Sequence, residues 1–254
     1  MEDVAGPSRA APGRPEAGTP QPGSSRWWAE RAAAADRRRP RAGGLSTARV
    51  VEAALNVLRE HGFEALTVRA VADRLATSSG SLYQHIASRD ELIVLIADHY
   101  LGDVRIGRGG GGWRAGVEEL MREMRRILID QPLPPSAALG RAIWGPNTLR
   151  IIDAALGLFL DAGLTDEQAT YATTALIDFV FGAAAIQRGG GRGPDGAAGA
   201  DERAAFGESL PANQFAALRK AGPTFLAASA DDVFSQGMAL FLDGVASRFV
   251  NDGT

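Results

Sequence analysis

Ser79, Gly80 and Ser81 stand together, with Leu82 directly behind them and Ile86 one helical turn further on. Short hydroxyls and a glycine let a helix backbone approach the base edges of a duplex, where small polar groups exchange hydrogen bonds. The two apolar residues meet the opposite need, anchoring that helix to whatever lies behind it. This chemistry is recognition rather than catalysis. The glycine-rich stretches at 107–112 and 189–199 lack the Lys-Ser/Thr of a phosphate loop, and neither follows a strand and opens a helix. No Gly-x-Ser-x-Gly elbow and no His-Glu-x-x-His pair occurs. The sequence therefore argues against an enzyme.

A recognition helix needs neighbours to hold it, and the flanking sequence supplies them. Helical spacing begins at Ser46, a good N-cap, and runs through Val50, Val51, Ala54, Leu55 and Leu58 until Gly62 ends it. Thr67 caps a second, short helix with Val68, Val71, Ala72 and Leu75 turned inward. Thr77-Ser78 breaks it, and a third short helix carries Leu82, Tyr83 and Ile86. Ser88-Arg89-Asp90-Glu91 reads as a capping box, opening a fourth helix with Leu92, Leu95, Ile96 and His99 near one face. Three short helices and a longer one are the parts of a helix-turn-helix head, whose middle helix crosses the backbone while the next enters the major groove.

The segments from Leu66 to Ala72, from Ser81 to Ile86 and from Ser88 to Leu92 resemble the DNA-binding head of the TetR family of bacterial repressors. The likeness is close over about residues 46–100 and specific in its Leu-Tyr-x-His-apolar step. It implies that Thr67 and Arg69 meet the DNA edge, with Arg69 able to reach a guanine. It implies base contacts for Ser79, Gly80 and Ser81, and phosphate or thymine-methyl contacts for Tyr83 and His85. Arg89 stands where a phosphate-binding lysine is usual, at a helix N-terminus. Gln84 departs from an often aromatic position.

Charge is divided in the way such a head requires. Residues 36–89 carry nine arginines against five acids, while residues 90–254 carry fourteen basic against twenty-one acidic residues. A basic segment before an acidic body suits a DNA reader joined to a domain that stays off DNA. The arginine run at 37–41 reads either as a solubilising tail or as an arm entering the minor groove. There is no cysteine and only three histidines, which leaves no expected cofactor and no expected metal site. Residues 1–44, rich in Pro, Gly, Ala and Arg, are expected to be disordered. The head is placed at 45–91 and an effector-binding and dimerisation domain at 92–254. No secretory signal is visible, and the best apolar run, 175–186, is short and interrupted by Asp178. A cytoplasmic location without membrane insertion is expected.

Beyond 107–112 the spacing predicts helices near 113–130, 135–143, 147–162, 165–187, 211–220 and 230–250, with a second capping box at Thr165 and Gln168. Nothing alternates like a strand, so the fold class is all-α. The stretches around 173–186 and 233–249 are apolar on more than one face, so a homodimer joined through the helices near 165–187 and 230–250 is expected. Gly182, Ala183, Ala184, Gly237 and Gly244 would permit close approach. The resemblance implies a small-molecule effector pocket in this region and release of an operator, double-stranded and pseudo-palindromic, on effector binding. Candidate lining residues are His99, Trp113, Trp144, Phe159, Tyr171 and Phe179, with Arg141, Arg150 and Asp178 as polar contacts. Few inward charges favour a lipophilic effector. The alternative is a DNA-binding dimer with no small-molecule effector, answering to a protein partner or acting as an activator.

Overall fold

The computed structural model describes residues 20–37, 44–107, 110–133, 144–189, 205–211 and 213–250. The helices are α1 (Ser25–Arg37), α2 (Thr47–His61), α3 (Val68–Arg74), α4 (Ser79–Leu82), α5 (Arg89–Leu101), α6 (Gly112–Asp130), α7 (Pro146–Asp161), α8 (Asp166–Arg188), α9 (Ala216–Ala227) and α10 (Ala230–Phe249). No strand occurs among the described residues. The expected helix at 135–143 lies outside them. The helix expected at 211–220 forms five residues later, because Gln214 bonds back to the Pro211 carbonyl in a turn at 3.2 Å.

Local side chains set most boundaries. Ser46, Thr67, Ser78 and Ser88 each accept a hydrogen bond from a backbone amide three residues on. Gly62 ends α2 with φ +80°. Thr165 and Gln168 form a complete capping box on α8. The box expected at Ser88 is only half made, since Glu91 Oε2 accepts from the Ala87 amide at 2.6 Å instead of from Ser88.

Two apolar cores result. The head core joins Val50, Ala54, Leu58, Leu66, Val71, Leu82, Ile86, Leu92 and Ile96. The body core joins Met121 and Met124 of α6, Ile151 and Phe159 of α7, Leu176 and Val180 of α8, and Met238 and Leu242 of α10. Each of these side chains larger than alanine contributes about 1.5–3 kcal/mol on burial. α5 serves both cores: residues 92–97 belong to the head, Leu101 to the body, and Tyr100 packs against each. Packing therefore divides the chain within α5 rather than at residue 91.

Disorder across 1–44 does not hold for α1, where Trp27 is 9% exposed and sits in the head core. Composition alone gave no core to bury there; the tertiary docking of Trp27 supplies one, with Trp28 edge-on at 4.8 Å. Residues 1–19 and 38–43 lie outside the described residues. α8 matches the helix expected at 165–187, and by length and composition it is apolar enough to cross a membrane. One face of it packs against α6, α7 and α10.

Candidate nucleic-acid interface

α3 ends in a Schellman motif: Thr77 N–H bonds to the Ala72 carbonyl at 3.0 Å and Ala76 N–H to the Asp73 carbonyl at 3.1 Å. Ala76 adopts φ +50° to make this turn, the left-handed conformation that glycine usually supplies. The chain then enters α4, which continues as turns to Ile86. Leu82 and Ile86 are buried, as the sequence required. The turn therefore presents Gly80 and Tyr83 outward, with Ser79, Ser81 and His85 half-buried beside them. Thr67, besides capping α3, remains exposed at its start. Arg69 next to it is 88% exposed on its side chain, with Asp73 at 3.9 Å. Seven of the eight expected DNA-facing residues are thus exposed or half-buried, at the start of α3 and in the turn that follows it.

Arg89 is the eighth and is committed elsewhere. Its Nε donates to the Leu66 carbonyl at 2.6 Å and Nη2 to the Phe63 carbonyl at 3.0 Å, while the guanidinium lies 4.6 Å from the centre of the Phe63 ring. It ties the α2–α3 connection to α5 and so shapes the surface from behind. Arg74 does similar work on the other side, gripping both oxygens of Glu60 at 2.6 Å. These bonds hold the Glu60 carboxyl below its ordinary range and raise the Arg74 guanidinium.

The link from head to body runs through the far end of α5. Asp98, 3% exposed, accepts from Thr148 N at 3.1 Å, Thr148 Oγ1 at 3.2 Å, Asn147 Nδ2 at 3.1 Å and Asn147 N at 3.4 Å. It caps the first turn of α7, whose own N-cap, Gly145, has no side chain to do so. A Cβ on Gly145 would lie 2.0 Å from Asp98 Oδ1, so the close approach requires glycine. Arg150 of α7 returns the favour, donating to the Leu101, Gly102 and Val104 carbonyls at the end of α5. α5 and α7 thus satisfy each other's helix ends. Sequence reading missed this clamp, although Gly145-Pro146-Asn147-Thr148, a helix start without a capping side chain, is a visible sign that an acceptor must come from elsewhere.

The six candidate effector residues do not converge. Phe159 is fully buried, with Trp113 at 6.2 Å and Phe241 at 6.5 Å between ring centres. Phe179 stacks on Phe234 at 5.4 Å in the same core. His99, Trp144 and Tyr171 lie on the surface of the single chain. Of the polar candidates, Arg150 is used in the clamp, Asp178 is exposed and Arg141 lies outside the described residues. The body does carry a groove of about 810 Å³ between α9 and α10, bordered by Ala227, Val233, Gln236 and Leu240. Among the described residues no cluster of His, Asp and Glu is arranged to hold a metal.

A family model described as "Tetracyclin repressor-like, C-terminal domain" matches residues 107–249, more than half of the chain, and one described as "Bacterial regulatory proteins, tetR family" matches residues 50–96. The chain belongs to the TetR family. Among TetR-family relatives, an HTH-type transcriptional regulator of Saccharopolyspora erythraea is 31% identical over 144 residues, 56% of this chain and 61% of the relative. The HTH-type transcriptional repressor DrrR1 of Streptomyces coeruleorubidus is 34% identical over 145 residues, 56% of this chain and 54% of its own length. The matched region thus spans little more than half of either relative. The solved TetR family protein ActR of Streptomyces coelicolor, in complex with actinorhodin, is 30% identical with a TM-score of 0.74, covering 83% of this chain and 100% of ActR. The TetR-family relatives are regulators, not enzymes, as the absent catalytic motifs implied.

Proposed function

We propose that this TetR-family chain is a dimeric repressor that binds a pseudo-palindromic operator and leaves it when a small lipophilic effector enters the body. The observation that carries the DNA half of this reading is the outward set of Thr67, Arg69, Gly80 and Tyr83 above the buried anchors Leu82 and Ile86. Ser79, Ser81 and His85 complete the reading surface. In this proposal Arg89 acts by holding the head in shape, and the amide end of α5 meets phosphate in its place.

Dimerisation is supported by two stripes left exposed or half-buried on the single chain. Tyr171, Ala175, Asp178, Gly182 and Ile186 run along α8, and Val233, Gln236, Leu240 and Gly244 along α10. Pairing them about a two-fold axis gives a four-helix interface and sets two heads side by side. The effector half is supported by the aromatic interior around Trp113, Phe159 and Phe241, and by the ligand-bound state of ActR. Release requires that the effector prefer the off-DNA conformation. Such a protein works in the cytoplasm, beside the chromosome.

The test is a titration of the dimer against the DNA upstream of its own gene and against a duplex selected from a random pool, at two salt concentrations. Tyr83→Ala and Arg69→Ala are each expected to weaken selective binding by about 1–3 kcal/mol. If neither changes affinity, the reading surface lies elsewhere.

A further inference from the structure

α1 is fastened to the places where the DNA-reading unit is joined together. The Arg31 side chain, 21% exposed, pairs with the Glu91 carboxylate in the first turn of α5. Its Nη2 also donates to the Thr47 hydroxyl at 3.1 Å, at the first residue of α2, and to the His85 carbonyl at 3.2 Å, where the recognition segment ends. Trp27 lies beneath the guanidinium, 5.2 Å from ring centre to Cζ. Glu91 in turn holds the Ala87 amide. Arg31 and Glu91 together therefore grip both sides of the short link between the recognition segment and α5. The other end of α1 reaches the body: the Gly23 carbonyl accepts from the Trp144 amide at 3.3 Å, and Leu133 shares the core that holds Trp27.

We infer that α1 is a working part of the DNA reader, and that Arg31 is a positioning residue for operator selectivity. This rests on the operator-binding reading above. Arg31 faces inward and its fork is engaged by groups at the ends of three separate elements, so it acts by fixing where Gly80 and Tyr83 point rather than by touching DNA. A planar guanidinium can serve several acceptors at once; an ammonium on a flexible stem cannot hold the same three in place. A shift of the reading turn by a fraction of an ångström spoils base-edge hydrogen bonds, whose geometry is narrow, while leaving general attraction to phosphate in place.

The test uses the full-length chain and a duplex that it selects from a randomised pool. Arg31→Gln is expected to lower affinity for that duplex about tenfold. Binding to an unrelated duplex at low salt is expected to change less than about twofold, with the salt slope unchanged, because no phosphate contact is lost. Should Arg31→Gln destabilise the fold, Arg31→Lys keeps the charge beside Glu91 and is expected to melt near the parent while still losing selectivity. Unchanged selectivity in a folded Arg31→Lys and Arg31→Gln overturns the inference. A salt slope reduced by about one overturns it too, since Arg31 would then meet phosphate directly. If the parent chain selects no duplex at all, the operator reading fails and the inference falls with it. Selection by the parent with unaffected variants removes the role of α1 alone.

Discussion

α5 and α8 both carry apolar residues on several faces, yet they end in opposite situations. Residues 91–98 of α5 are all buried, enclosed by α2, α6 and α7 of the same chain. α8 buries one face, through Ala169, Ala172, Leu176, Val180 and Ala184, and leaves Tyr171 and Ile186 more than half exposed. An apolar helix face is satisfied either within the chain or by a second molecule. The difference separates a helix that joins two cores from one with a face left open on the single chain.

The largest expected effect lies on the α5 side. Asp98→Ala removes the acceptor for the buried end of α7 and should lower stability by about 2–3 kcal/mol, read from urea unfolding. A loss within error would mean that burial alone, without the clamp, holds α5. On the α8 side, Ile186→Asp should leave monomer stability nearly unchanged. Self-association should weaken by about 1–2 kcal/mol, measured by sedimentation equilibrium. If instead the monomer unfolds and association is unaffected, the contrast between the two helices disappears.

The smallest effect is expected at an ion-pair network on α6, away from both helices. Hydrogen bonds from Arg105 and then Arg126 bring the Glu123 carboxyl from its ordinary 4.5 to about 2. A carboxyl lowered on folding stabilises above its unfolded value and loses that contribution as pH falls toward the folded one. Stability of the parent relative to Glu123→Gln should therefore decline between about pH 4.5 and 2, by no more than about 1 kcal/mol, since Arg105 is exposed. A larger loss would place this surface pair on the scale of the Asp98 clamp and blur the ranking.

The parts of the fold that were legible in the sequence are those made by neighbours along the chain. Ser46, Thr67, Ser88 and Thr165 bond to amides three residues on, so their spacing alone marks the helix starts. The recognition segment was legible for a related reason: Leu82 and Ile86 occupy successive turns of one inward face. What was hidden depends on partners far away in sequence. Arg89 matched a phosphate-binding position, but its long side chain found Phe63 and Leu66 first. α1 was hidden because its large apolar side chains, Trp27 and Trp28, have no partners nearby in the chain. Phe159, Tyr171 and Phe179 sit on helices apolar on several sides, where periodicity cannot say which side is buried.

The carboxylate tucked against Gly145 also limits how these two positions can change over evolutionary time. While an aspartate occupies position 98, any side chain at position 145 would overlap it. Shortening residue 98 first leaves the amides of Asn147 and Thr148 without their acceptor. Either single step is penalised, so a descendant that gains a side chain at 145 must alter 98 together with it and bring a new cap for α7. Across diverged sequences, these two sites are expected to vary as a pair, although 47 positions separate them.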